Sequence, residues 1–145
     1  MSCIKMDVDS RKTFEKEFAA WNRQNFQNYQ FSYQYFSLSL PSRGPVKITI
    51  EEGNESVIEH PYTRIEVVPY TSIAQLYEWI DYLFEDTAKM KLENKGLFRV
   101  KSITLRIEYD TQYHYPKKIF YGLEYVKLTE GGPYIEMEVI AFHAD

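Results

Sequence analysis

The sequence predicts an α+β domain, a two-layer arrangement in which an antiparallel sheet of about five to six strands is covered on one face by two helices. The expected element order is α-β-β-β-α-β-β-β. Two segments with apolar residues at helical spacing predict the helices. The remaining segments alternate apolar and polar residues and are joined by short turns, which predicts antiparallel neighbours with one dry and one wet face. The 145 residues make about one domain, and a chain this size hides roughly two-thirds of its unfolded surface without metal or disulfide staples. Residues 1–9 are read as a disordered N-terminal tail and 10–145 as a single domain.

The first helix runs from about Ser10 to Gln24, with Phe14, Phe18 and Trp21 on one face and Asp9 or Ser10 as its cap. The period then changes to two. Tyr29, Phe31, Tyr33 and Tyr35 alternate with Gln30, Ser32 and Gln34, which reads as an aromatic strand with a polar reverse face. The Pro41-Ser42-Arg43-Gly44-Pro45 stretch is expected to break it. Val46, Ile48 and Ile50 form the next strand, Gly53-Asn54 supplies turn chemistry, and Ser56–Glu59 completes a hairpin. The stretch from His60 to Tyr70 reads as an irregular connection, with Ile65–Val68 as a short extended piece.

The second helix carries Ile73, Leu76, Tyr77, Ile80, Leu83, Phe84 and Thr87 on one broad face, with Thr71 or Ser72 as cap and Gln75 as capping-box partner. Gly96 is its expected stop. Ile103, Leu105, Ile107 and Tyr109 then mark a strand, Asp110–His114 a turn, and Pro116–Tyr121 a second strand. Gly131-Gly132-Pro133 turns the chain into a last strand of Ile135, Met137, Val139 and Ala141.

Composition removes several classes of function. Seventeen Lys and Arg against 21 Asp and Glu give a net charge of −4 with no basic stripe, which argues against a dedicated nucleic-acid binder. No apolar run approaches the roughly 20 residues of a membrane span. A single cysteine excludes an internal disulfide framework, a CxxC redox centre and a cysteine-cluster zinc site. No G-x-S-x-G, G-x-G-x-x-G or P-loop is present. The paired carboxylates Glu51-Glu52 and Glu136/Glu138 read as solvated surface rather than a glycosidase pair.

Asp110 and His114, beside Tyr113 and Tyr115, form the most suggestive polar cluster. They suit either a general base with an orienting carboxylate or two ligands of a divalent metal. The competing structural reading has Asp110 accepting backbone N–H groups in an Asx-turn, with His114 exposed at the loop tip. Neither His60 nor His143 has ligand spacing to it. The 13 tyrosines suit a carbohydrate- or peptide-binding platform, or simply fill the space between sheet and helix with their hydroxyls reaching water. Tyr113 and Tyr115 flank a loop tip, so they are not expected both to face the core. Ser2-Cys3 after Met1 is what remains of a bacterial lipoprotein cloned without its signal peptide, the cysteine being the lipidated residue. The competing reading is a small hydrophobe at a frayed end.

Three pieces of the chain together resemble a bacterial domain family of unknown function found largely in small secreted proteins and lipoproteins. They are Trp21 followed by Asn28-Tyr29 and Tyr33; Pro45-Val46-Lys47-Ile48-Thr49-Ile50 leading to Gly53; and Tyr109-Asp110, a spacer, then Tyr115-Pro116-Lys117-Lys118-Ile119. The long helix lies between them, and the resemblance spans about Phe14 to the C-terminus. Two departures stand out. The family usually has Gly where this chain has His114, and many members carry cysteines where this chain has Ser37-Leu38-Ser39, which removes a disulfide. The resemblance implies a fold and an extracytoplasmic address, but no reaction.

The resulting expectation is a non-enzymatic cell-envelope module, anchored as a lipoprotein through Cys3, that binds or scaffolds an envelope protein or small ligand. Its binding residues are Asp110, Tyr113, His114 and Tyr115, with no catalytic residues, metal or cofactor and no nucleic-acid partner. Two alternatives belong to other classes. One is a small metal-dependent or hydrolytic enzyme using Asp110 and His114; the other is an inhibitor-like protein-binding domain.

Overall fold

The computed structural model describes residues 4–37, 40–59, 70–94, 99–126 and 134–145, with backbone alone for 37 and 40–44. In order they form β1 (Lys5–Val8), α1 (Arg11–Gln24), β2 (Tyr29–Ser37), β3 (Leu40–Glu51), β4 (Asn54–Glu59), α2 (Ile73–Leu92), β5 (Val100–Tyr109), β6 (Pro116–Tyr125) and β7 (Tyr134–Ala144). The strands make one seven-stranded sheet ordered β1-β5-β6-β7-β2-β3-β4. Strand β1 runs parallel to β5, and every other neighbouring pair is antiparallel.

The expected fold class is overturned. The sheet is mixed rather than antiparallel, has seven strands rather than five or six, and the order begins with a strand. The source of the error is Lys5–Val8, inside the stretch read as a tail. Met6 and Val8 do alternate with Lys5 and Asp7, but over only four residues, and the segment becomes a strand by pairing Lys5–Val8 with Ser102–Leu105. Asp9 extends the contact, its N–H donating to the Leu105 carbonyl (2.9 Å) and its carboxylate accepting from Ile107 N–H (2.7 Å).

The proline stretch does not break the sheet either; residues 40–51 form one strand. Tyr33 pairs with Val46, Tyr35 with Arg43 and Ser37 with Leu40, so β3 carries one extra residue in each interval. Pro45 falls in the first bulge and Pro41 in the second, where the missing N–H costs no ladder bond. The β3–β4 turn lies one residue earlier than expected. Its two central residues, Glu52 (φ 52°) and Gly53 (φ 80°), both have the positive φ that two-residue hairpin turns demand. The connection from His60 to Pro69, including Ile65–Val68, and the Gly96 and Gly131–Pro133 punctuation lie outside the described residues.

Both helices begin at capped serines. Ser10 Oγ accepts from Thr13 N–H and Ser72 Oγ from Gln75 N–H. The Gln75 side chain reaches Thr71 N–H (2.7 Å) rather than closing the box on Ser72. Their apolar faces meet each other, Phe14 against Phe84 (5.3 Å between ring centres) and Phe18 stacked on Tyr77 (4.6 Å). Together they bury the sheet face carrying Phe31, Tyr33, Ile48, Ile103, Leu105 and Met137. Two tyrosine hydroxyls in this core bond to backbone. Tyr33, fully buried, donates to the Tyr70 carbonyl (2.8 Å) and accepts from Tyr70 N–H, while Tyr29 OH accepts from Ile73 N–H (3.2 Å). The start of α2 is thereby fastened to β2.

Leu83 on α2 is 3% exposed, whereas Leu92 at the helix end is 86% exposed. Leu83→Ala is expected to lower stability by about 2–5 kcal/mol through lost burial and a cavity. The same change at Leu92 is expected to leave the unfolding free energy, read by urea titration, within about 0.5 kcal/mol of wild type. Trp21 is 6% exposed and meets Tyr29 and Phe142 edge-on. A Trp79→Phe protein, with Trp21 as its one indole, is therefore expected to emit at the short wavelengths of a buried ring and shift red on unfolding.

Candidate functional site

The turn between β5 and β6 brings together the residues singled out in the sequence, and most of their polar groups are spent on the fold. Asp110 Oδ2 accepts from Gln112 N–H (3.0 Å) and Tyr113 N–H (2.7 Å), the Asx-turn that its position after a strand allows. The loop is closed by His114 N–H to the Asp110 carbonyl (3.1 Å) and Asp110 N–H to the Tyr115 carbonyl (2.9 Å). Asp110 therefore shapes the turn. It does not orient His114.

Both tyrosines of the turn pack inward, against expectation. Tyr115 is buried and stacks on Phe142 (4.5 Å), and half-buried Tyr113 contacts the same ring (5.2 Å) and Phe26 (5.8 Å). The reason is His114, which sits at φ 63° between them. A left-handed residue redirects the chain, so the alternation rule for extended backbone does not apply. It also explains why glycine would suit this position, since a β-carbon disfavours positive φ.

His114 finds a carboxylate that the sequence did not suggest. Its Nδ1 lies 2.7 Å from Glu17 Oε2 of α1, with both side chains partly shielded. Its carbonyl accepts from the buried Tyr77 hydroxyl of α2, and Gln24 Nε2 of α1 donates to the Tyr113 carbonyl (2.5 Å). The turn is thus a junction of both helices and the β5–β6 hairpin. Beside it the Tyr109 hydroxyl is buried with no hydrogen-bond partner among the described residues, its ring stacked on Tyr77. Glu17, Gln24 and Tyr77 lie far from the turn in sequence. No local pattern could have linked them to it.

Burial, and then the neighbouring Asp110, push the Tyr115 hydroxyl up to about 12. Burial likewise raises Tyr77 and Tyr109, with nearby Glu17 adding to both. Among the described residues no group of three or more His, Cys, Asp or Glu is placed to hold a metal ion. His143 is exposed, 3.2 Å from Asp145, and His60 and Cys3 lie outside the described residues.

The sheet face opposite the helices offers more room. Its cross-strand rows read Glu108–Lys118–Glu138, Arg106–Phe120–Glu136–Phe36 and Thr104–Gly122–Tyr134. The first row alternates in charge. In the other two, Phe120 and Tyr134 stack at 5.9 Å with ring planes 24° apart, and Phe36 leans on Tyr134 at 5.5 Å. Phe120 forms a ridge between a depression of about 280 Å³ toward Arg106 and Glu136 and one of about 180 Å³ floored by Gly122. A third, of about 280 Å³, adjoins the second through Ser102, Thr104 and Glu124 and runs to β1. A separate polar cleft of about 470 Å³ lies beside the β3–β4 hairpin, where Glu51 and Glu52 fall. Sequence alternation marks the outward positions, but their grouping into one aromatic corner depends on the strand order.

The chain is thus a small sheet-rich domain with a pinned β5–β6 turn and a grooved outer face. It belongs to the family of unknown function DUF6174, whose match covers residues 13–125 and ends before β7. No curated protein and no solved structure matches it. Among the described residues no helix is long and apolar enough to cross a membrane.

Asp110→Ala is expected to cost about 1–2 kcal/mol, because two backbone N–H groups lose their acceptor. His114→Gly trades the Glu17 contact for relief of a left-handed residue and is expected to stay within about 1 kcal/mol of wild type. Thermal melts of the two variants check the contrast. Alkali gives a further test. Tyr115 keeps its proton to about pH 12 in the fold, while an unfolded tyrosine releases it near about 10. The unfolded state binds fewer protons in that window, so stability is expected to be intact below about pH 10 and to fall toward pH 12. Absorbance of phenolate against pH, with and without denaturant, reads this directly.

Proposed function

We propose that the chain is a non-enzymatic module of the bacterial cell envelope that binds a ligand or partner through the sheet face opposite its helices. The observation that carries this reading is the run of three adjoining depressions across β1, β5, β6 and β7 with Phe120 as a ridge. A binding site is concave and combines apolar contact with polar groups that set orientation. Here Ile107, Ile119, Phe120, Leu123 and Tyr134 line the depressions together with charged side chains such as Arg106, Lys118 and Glu136. The β5–β6 turn supports the reading from the other side. Asp110 is occupied by backbone and Tyr115 is buried, so the turn serves better as a junction than as a contact surface. The envelope address is supported by the motifs shared with secreted proteins and by Ser2-Cys3 as a lipidation site. An apolar signal region encoded upstream of Cys3, and recovery of the mature protein in the membrane fraction, are the expected findings.

The hydrolytic alternative keeps one observation, the Glu17–His114 pair, which holds an imidazole as an oriented base would be held. Its carboxylate is then Glu17 and not Asp110.

Amide chemical-shift mapping with separated polysaccharide, lipid and protein fractions of an envelope preparation tests the proposal. Shifts at outward positions of β5, β6 and β7 are expected from at least one fraction. Shifts confined to residues 110–116 would overturn the sheet face in favour of the turn. Loss of a metal-dependent rise in melting temperature in His114→Gly would favour the enzyme.

A further inference from the structure

We propose that Asn54, beside the turn of the β3–β4 hairpin, is a site of N-linked glycosylation that takes its oligosaccharide from a polyprenyl-diphosphate donor. The inference rests on the envelope address proposed above, because transferases of this class work on the outer side of the membrane. It is independent of the sheet-face reading.

The sequence supplies the acceptor signal. Of the five asparagines, Asn54 alone is followed two residues later by Ser or Thr, in Asn54-Glu55-Ser56, and the residue between is not proline. Glu52 stands two residues ahead of Asn54. The run Glu52-Gly53-Asn54-Glu55-Ser56 therefore meets the stricter acceptor pattern of bacterial transferases, which includes an acidic residue at that place. A carboxylate there offers a cationic transferase groove a charge-assisted contact. The tripeptide recurs by chance in many chains, so its place in the fold decides whether it is usable.

That place is favourable. All five residues are exposed. The turn itself is pinned, Gly53 N–H donating to the Gln27 carbonyl (2.8 Å) and Glu52 N–H to Asn28 Oδ1 (3.1 Å). The acceptor is held more loosely, Asn54 Nδ2 donating to the Glu52 carbonyl at 3.3 Å. Strand β4 is the last of the sheet and pairs with β3 alone among the described residues. Its register slips at the sequon: Ile50 pairs with Glu55 and Thr49 with Val57, which leaves Ser56 as an extra residue. A bulged edge strand beside a turn opens locally at low cost. Ser56 Oγ, which a transferase must engage, donates to the Thr49 carbonyl (3.1 Å), so engagement exchanges one exposed hydrogen bond for another. The cleft of about 470 Å³ lined by Asn54, Glu55 and Ser56 leaves space beside the acceptor.

The chemistry is a group transfer. Asn54 Nδ2 forms a bond to the anomeric carbon of the first sugar, and the bond from that carbon to the diphosphate oxygen breaks. The polyprenyl diphosphate leaves with the electron pair, and one amide proton passes to a base of the transferase. A glycan there also covers the start of the unpaired β4 edge, which carries exposed Val57, and so blocks edge-to-edge pairing with another chain.

The test incubates the purified, folded full chain with a bacterial oligosaccharyltransferase and a polyprenyl-diphosphate-linked oligosaccharide. Intact mass and sequencing of the tryptic peptide that contains Asn54 are the readouts. Addition of one glycan at Asn54 is expected. Asn54→Gln and Ser56→Ala are expected to abolish it, Ser56→Thr to keep it, and Glu52→Gln to slow it about tenfold. The result on the unaltered chain stands whether or not a variant folds. Transfer to a synthetic peptide of residues 47–59 but not to the folded chain overturns the hairpin as a presented site. Transfer to neither overturns the acceptor sequence as well. Both failures leave the envelope address standing, whereas recovery of the chain from the cytoplasm overturns the address and this proposal together.

Discussion

Strand β7 is the constraint on which the rest of the molecule depends. It pairs with β6 on one side and β2 on the other, and so joins two groups of three strands that are otherwise separate, β1-β5-β6 and β2-β3-β4. It is the last of the described strands, so the two groups are joined only when it pairs with both. Pairing of this kind is non-local and cooperative, since the loop-closure entropy is spent before the contacts form. Met137 and Val139, nearly fully buried, are the residues that this pairing places under the helices. Its bulge at Ile140 changes the face its residues present, which carries Phe142 inward to Trp21, Tyr29 and Tyr115.

The second organising feature is the use of buried tyrosine hydroxyls as fasteners. An orphaned polar group in the core costs about 1–3 kcal/mol, which favours a partner for a buried hydroxyl. Tyr33 and Tyr29 take theirs from the backbone at the start of α2, where helix N–H groups lack intrahelical acceptors. Tyr77 takes the carbonyl of His114. The abundance of tyrosine thus serves orientation as much as volume, because each of these bonds ties a helix to a strand or turn.

The same economy divides the two surfaces that carry functional interest. At the β5–β6 turn, the Asp110 carboxylate is spent on backbone N–H groups, and a left-handed His114 is held by Glu17 and Tyr77 on two helices. On the outer face, the rings and charges answer to one another only across strands and leave grooves between them. A junction fixes geometry and a grooved face offers contact, which is why the proposed function is placed on the sheet.

The local pattern alone determined α1, α2, the aromatic strand and the hairpins. Periodicity, capping serines and turn residues act within a few positions of one another, and the Asx-turn at Asp110 belongs to the same class. Strand β1 lay beyond its reach, because four unremarkable residues become a strand only when β5 offers a parallel edge. The prolines of β3 were misread for a similar reason: whether a missing N–H breaks a strand depends on where that strand's bulges fall against its partner. Pairing of Glu17 with His114, and the gathering of Phe36, Phe120 and Tyr134 into one corner, needed the tertiary structure. Those residues are distant in the chain, and only the strand order β6-β7-β2 and the seating of α1 bring them within contact.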